Sequence, residues 1–215
     1  MSFIFRAADA LFELMQGQGA GHLVHMPAHT YIRVGRYSDA IEASLQSITL
    51  DKQYLEQCLE PYGADHNKAL LVAATMLSGR LSLALEHANP SAIKMPEDAA
   101  KFVWRRFPRP QDLVLARFGR WEDLLELQAR DVLQESTPPF LLALHYYTRS
   151  LALIQLKHSA EVQGAIEALG RAVLAIPKAL LAKEHIYYAN HKEMAIIMNL
   201  TAHASWLFME QSYGE

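Results

Sequence analysis

Cysteine is nearly missing from this chain: Cys58 is the only one in 215 residues. An intrachain disulfide is therefore impossible, and so is a structural zinc site built from several thiolates. Strand signals are scarce too, with no Asn-Gly or Asp-Gly hairpin turn and no sustained polar/apolar alternation. No apolar run reaches the roughly 18 residues a membrane-spanning helix needs, so no membrane partner is expected. Arg6, Asp9 and Glu13 interrupt the N-terminal segment, a pattern foreign to a secretory apolar core, and a cytoplasmic location is expected. A basic surplus is also lacking. The 20 Lys and Arg stand against 23 Asp and Glu, for a formal charge of −3, which argues against nucleic acid as a partner. Neither a nucleophile elbow nor a glycine-rich phosphate or dinucleotide loop occurs.

What is present is helical periodicity. Ala8, Leu11, Phe12 and Met15 recur at i, i+3, i+4 and i+7, and Leu144, Tyr147, Leu151 and Ile154 form a similar stripe. Helices are predicted near 2–16, 23–34, 37–58, 66–78, 81–89, 97–105, 110–118, 121–134, 138–156, 159–175 and 179–212, in a single domain spanning 1–215.

Short stretches repeat along this pattern. Val34-Gly35-Arg36-Tyr37, Ser78-Gly79-Arg80-Leu81 and Phe118-Gly119-Arg120-Trp121 share one logic. A glycine supplies a left-handed turn after one helix, and a large apolar residue two positions on packs into the angle before the next. Ala40 and Ala84 then allow close approach of the second helix; Leu124 takes that place in the third copy and implies looser packing. Leu156-Lys157-His158-Ser159 is a fourth copy without the glycine. Gly35 to Gly79 is 44 residues and Gly79 to Gly119 is 40, longer than the standard unit of about 34. Ala28, Tyr31, Gly35, Tyr37, Ala40 and Asp51 occupy the small, aromatic, turn, aromatic, small and acidic places of a tetratricopeptide unit. The expected fold is all-α: a right-handed tetratricopeptide-like solenoid of antiparallel helix pairs, with irregular, longer-than-standard repeats.

The block from Gly21 to Tyr37, with its His25-Met26-Pro27-Ala28-His29 core, resembles a signature of large bacterial tetratricopeptide-repeat proteins of uncharacterised function. Tyr62-Gly63-Ala64-Asp65-His66-Asn67, Ala73 to Met76 before Gly79-Arg80, Arg117 to Trp121, and His145-Tyr146 are similar to theirs as well. The likeness spans roughly residues 10 to 160 and implies a shortened member or a fragment. Members often place a further histidine just after His-Asn, where this chain has Lys68 and Ala69. The resemblance carries no activity with it.

His22, His25 and His29 are spaced by three and four, which on an unbroken helix sets three imidazoles on one face. Such a set ligates zinc, copper or iron; no other cofactor is called for. Pro27 is expected to break or start a helix between them, leaving only His29 fully helical. The alternative is that these histidines pack in a groove and hydrogen-bond to neighbours. His29, His66 and His145 fall on the first helices of successive pairs, which line a solenoid's concave face. With His25, Tyr31, Asn67, Tyr146 and Arg149 they are the candidate groove residues, suited to a carboxylate, a peptide or acid–base work. Packing between helices competes as an account of the same side chains.

Two functions follow. The first is a scaffold that binds a protein or peptide, or a small ligand, in its groove. The second is a metal-dependent or acid–base enzyme built around His25, His29 and His66. Elsewhere, Glu184, Tyr188 and His191, beside His185, and the basic run Lys101, Arg105, Arg106 and Arg109 read as solvated faces. The apolar ends, Phe3 to Phe5 and Trp206 to Met209, point to a homodimer contact or to burial within the array.

Overall fold

The computed structural model describes residues 2–15, 21–88, 109–130, 133–134, 137–176 and 191–213. The expected helix at 97–105 with its basic residues from Lys101, and Glu184, His185 and Tyr188, lie outside these residues, as does the side chain of His191. Among the described residues the protein is all-helical. The elements are α1 (Ser2–Met15), α2 (Gly21–Arg33), α3 (Tyr37–Glu56), α4 (Ala64–Leu77), α5 (Leu81–Ala88), α6 (Pro110–Arg117), α7 (Trp121–Ala129), α8 (Pro139–Gln155), α9 (Ser159–Ala175) and α10 (His191–Tyr213). No described helix is long and apolar enough to cross a membrane.

The chain divides into two compact units, Met1–Val114 and Leu115–Glu215. In the first, α2 packs on α1, α3 and α4, and α4 packs on α3 and α5. Its core is built largely from small residues, Ala8, Ala28, Ala40, Ala43 and Ala74, around Tyr31, Ile41, Ile48 and Leu71. Small side chains let helix backbones approach, and Tyr31 fills the space that remains. In the second unit α8 packs on α7, α9 and α10. Leu153, Val162, Ile166 and Leu169 centre that core, and Trp206 and Met209 of α10 pack there too. Leu207 and Phe208 on the same helix are 54% and 73% exposed.

The three glycine turns adopt one conformation, with φ of +79° at Gly35, +77° at Gly79 and +67° at Gly119. At each, the next residue's N–H donates to the carbonyl five positions back: Arg36 to Tyr31, Arg80 to Thr75 and Arg120 to Leu115, all at 2.9 Å. That bond is the Schellman closure, which satisfies carbonyls a helix end would otherwise orphan. The fourth copy makes the same turn without a glycine. Lys157 sits at φ +61°, and His158 N–H donates to Leu153 at 2.9 Å. An L-residue tolerates this at a cost of about 1–2 kcal/mol. Leu124 is as completely buried as Ala40 and Ala84, so the larger side chain leaves no exposed gap at that position.

Beyond shifts of one or two residues at helix ends, two features differ from expectation. The helix at 121–134 ends already at Ala129. More consequential is α2, which runs unbroken from Gly21 to Arg33 with Pro27 inside it. The proline removes one backbone N–H, but its ring is buried beside Val24, Ala28 and Tyr31, each at most 1% exposed. Burial of that face, Tyr31 above all, outweighs the missing bond.

Candidate metal centre

An unbroken α2 changes the histidine geometry, because His22, His25 and His29 now share one face. His25 lies at the centre and is wholly buried. In the first turn of α4, three residues after Gly63, His66 faces the same space. The ligand nitrogens of His25, His29 and His66 all lie within 4.8 Å of one another. The Nε2 atoms of His29 and His66 are 3.1 Å apart, a separation at which one ring donates its proton to the other. Nitrogens held by one tetrahedral zinc at about 2.05 Å stand about 3.3 Å apart, so this pair already has the spacing of two ligands.

Burial, first of all, pushes the His25 imidazole down to about 2, and the neighbouring His66, His29 and His22 push in the same direction. His29 is lowered for the same leading reason, with Arg33 and His22 adding to it. Both rings are therefore held in the neutral form, the state a metal requires. Neither nitrogen of His25 has a hydrogen-bond partner. A buried polar group left unsatisfied in this way is rare and expensive.

Two further features hold α2 in place. A Cβ at Gly21 would fall 2.2 Å from Asp51 Oδ1 and 2.8 Å from the Ser47 carbonyl oxygen, so only glycine allows α2 to start against α3. Asp51 accepts a 2.8 Å hydrogen bond from Asn67 Nδ2, which ties α3 to the residue next to His66. Gly21, Asp51 and Asn67 thus set the spacing of α2 and α4 against α3. Gly21 and Asp51 lie 30 residues apart in sequence, and their contact depends on how α2 and α3 pack.

The remaining candidates have structural partners. Tyr31 is buried; its hydroxyl donates to Asp9 at 3.0 Å, and the Arg36 guanidinium lies 4.5 Å from its ring centre. Burial and the Asp9 bond push its hydroxyl up to about 12. His145, Tyr146 and Arg149 belong to α8 in the second unit. The backbone carbonyl of His145 accepts bonds from Gln128 and Thr148, its ring lies 5.1 Å from that of Tyr146, and Arg149 pairs with Glu161 at 3.4 Å. An open groove of about 730 Å³ runs along α3 from Ser38 to Gln53 and is bounded by Arg80. It follows α3, whereas the histidines sit on α2 and α4. Comparison of the chain with family models finds no match, and comparisons with curated proteins and with solved structures find none either, so the function is read from the site's own geometry.

Proposed function

We propose that this is a tetratricopeptide-type repeat protein that binds one divalent transition-metal ion through His25, His29 and His66. The observation that carries the reading is the convergence of the three sets of ring nitrogens within 4.8 Å around a buried histidine whose nitrogens have no hydrogen-bond partner. Imidazoles without a carboxylate or thiolate suit zinc, copper, nickel or cobalt; magnesium, calcium and manganese prefer oxygen. The repeat assignment, a right-handed array of antiparallel pairs, is supported by the four turns of one conformation. It is also supported by recurrent pairs from the residue before the second helix to an acid three places on: Arg36 with Asp39, Arg120 with Asp123, and His158 with Glu161.

Protein produced without a histidine tag, stripped with chelator and titrated calorimetrically with zinc, is expected to take up one equivalent and to melt higher when loaded. Uptake well below one equivalent, with melting unmoved by zinc or chelator, would overturn the metal reading.

A docking role is favoured by a different observation, the groove along α3, whose lining combines Ile41, Leu45 and Leu50 with polar residues and the Arg80 cation. A peptide with an apolar face and one carboxylate fits that lining. Peptides selected by display on the intact protein are expected to lose at least about tenfold in affinity on Leu45→Asp or Arg80→Glu, a loss of about 1.4 kcal/mol. Equal binding to both variants would exclude the groove.

A further inference from the structure

Resting on the metal reading above, we propose that His22 is the fourth ligand, so that the ion is enclosed by four imidazoles: His22, His25 and His29 from α2 and His66 from α4.

Register is the first argument. With α2 unbroken through Pro27, His22 precedes His25 by three residues and lies on the same face, one turn nearer the N-terminus. Ring positions are the second. Four imidazoles on one tetrahedral ion, with nitrogens at about 2.05 Å, place their ring centres roughly 5 Å apart. Here His22–His25 is 5.3 Å, His22–His66 6.0 Å, His25–His29 4.7 Å, His25–His66 4.6 Å and His29–His66 5.1 Å. Five of the six ring pairs thus stand near the ligand spacing of one centre; His22 is outside the set whose nitrogens all lie within 4.8 Å, and it is His22, seven residues from His29 on α2, that must move on loading. The third argument is satisfaction. His22 Nδ1 is buried and has no hydrogen-bond partner.

The surroundings orient that ring. Tyr62 meets it edge to face at 5.0 Å, and the bare backbone of Gly63 lies against Nδ1, where a Cβ would stand 3.4 Å away. The turn that leads into α4 therefore positions His66 and packs against the edge of the His22 ring that carries Nδ1, so ligation through Nδ1 requires that ring to rotate toward the other three. Loading draws the His22 ring inward by a fraction of its distance to His66 and closes the coordination sphere.

A sphere of four neutral nitrogens leaves no position for an activated water. This assigns the centre to holding metal: a structural clamp between α2 and α4, or a site for storing or sensing zinc, copper or a similar ion. It stands opposed to the three-histidine centre with an open position that hydrolytic chemistry uses.

X-ray absorption on the zinc-loaded wild-type protein is expected to fit four imidazole nitrogens with no oxygen ligand, and this measurement needs no variant. Cobalt-loaded wild type is expected to show the ligand-field spectrum of a tetrahedral all-nitrogen site. His22→Ala, and His22→Gln should the first variant fail to fold, are expected to keep one equivalent of metal, to bind at least about tenfold more weakly and to admit an oxygen ligand. Three imidazoles and an oxygen in the wild type, or a His22 variant with unchanged affinity and cobalt spectrum, would overturn the fourth ligand while leaving the three-histidine site intact. A wild type that takes up neither zinc nor cobalt would overturn both.

Discussion

Replacing His25 with leucine is expected to abolish metal binding and, at the same time, to make the metal-free protein more stable. His25 is wholly buried and neither ring nitrogen is hydrogen-bonded. A buried polar group in that condition costs about 1–3 kcal/mol, and an apolar side chain of similar size removes the penalty. His25→Leu should therefore raise the unfolding free energy by about 1–3 kcal/mol in chelator. The same change removes the central ligand. Loss of a partner that only orients a ligand costs about 10–100-fold in affinity, so loss of the ligand itself should cost more. Zinc at 100 times its dissociation constant adds about 2.7 kcal/mol to the wild type and should add nothing measurable to the variant. Urea unfolding of both proteins, with chelator and with zinc, measures all four quantities. A variant less stable than the wild type in chelator would mean that His25 holds the fold by bonds of its own. Undiminished zinc stabilisation of the variant would remove His25 from the centre.

Local preference on one side and distant packing on the other separate the readable from the unreadable parts of the sequence. Gly35, Gly79 and Gly119 were legible because a left-handed turn after a helix favours glycine for a local, steric reason. Lys157 adopts the same turn at φ +61°. Its copy looked degraded because sequence shows the favoured residue, not the cost of 1–2 kcal/mol that packing of α8 on α9 can absorb. Pro27 misled in the opposite direction. Its effect on the backbone is local and certain, but the burial of Tyr31 and Val24 that overrides it comes from α1, α3 and α4.

For the histidines, spacing alone put His22, His25 and His29 on one face. Placing His66 against them required the rotation of α4 about its axis. That rotation is fixed by contacts far apart in sequence, such as Asn67 to Asp51. His66 was within reach as a candidate, because the repeat pattern expects it on the first helix of a following pair. Its 3.1 Å approach to His29 was not. His145 had the same credentials in sequence, yet it lies in the second unit, among its own helical neighbours.

Acid should unfold the metal-free protein early, with the histidine cluster as the cause. In the unfolded chain a histidine takes up its proton near pH 6.5; in the fold burial pushes His25 down to about 2. Below pH 6.5 the unfolded state therefore binds more protons than the native state, and stability falls as pH falls. The contribution of a neutral His25 is complete above pH 6.5 and is lost progressively from there toward pH 2. Over the interval from pH 6.5 to 5.0 the slope of about 1.4 kcal/mol per pH unit amounts to about 2 kcal/mol for this one residue. His29, lowered for the same reason, adds to the loss with the same sign. Denaturant unfolding in chelator at pH 7.5, 6.5 and 5.0 is expected to show little change over the first step and a steep decline over the second. His25→Leu is expected to lose about 2 kcal/mol less than the wild type over that second step. The carboxylates are common to both proteins, so they cancel in the comparison. Parallel profiles for the two would show that His25 accepts its proton in the native state, which a ring enclosed by three other imidazoles and shielded from water should not do.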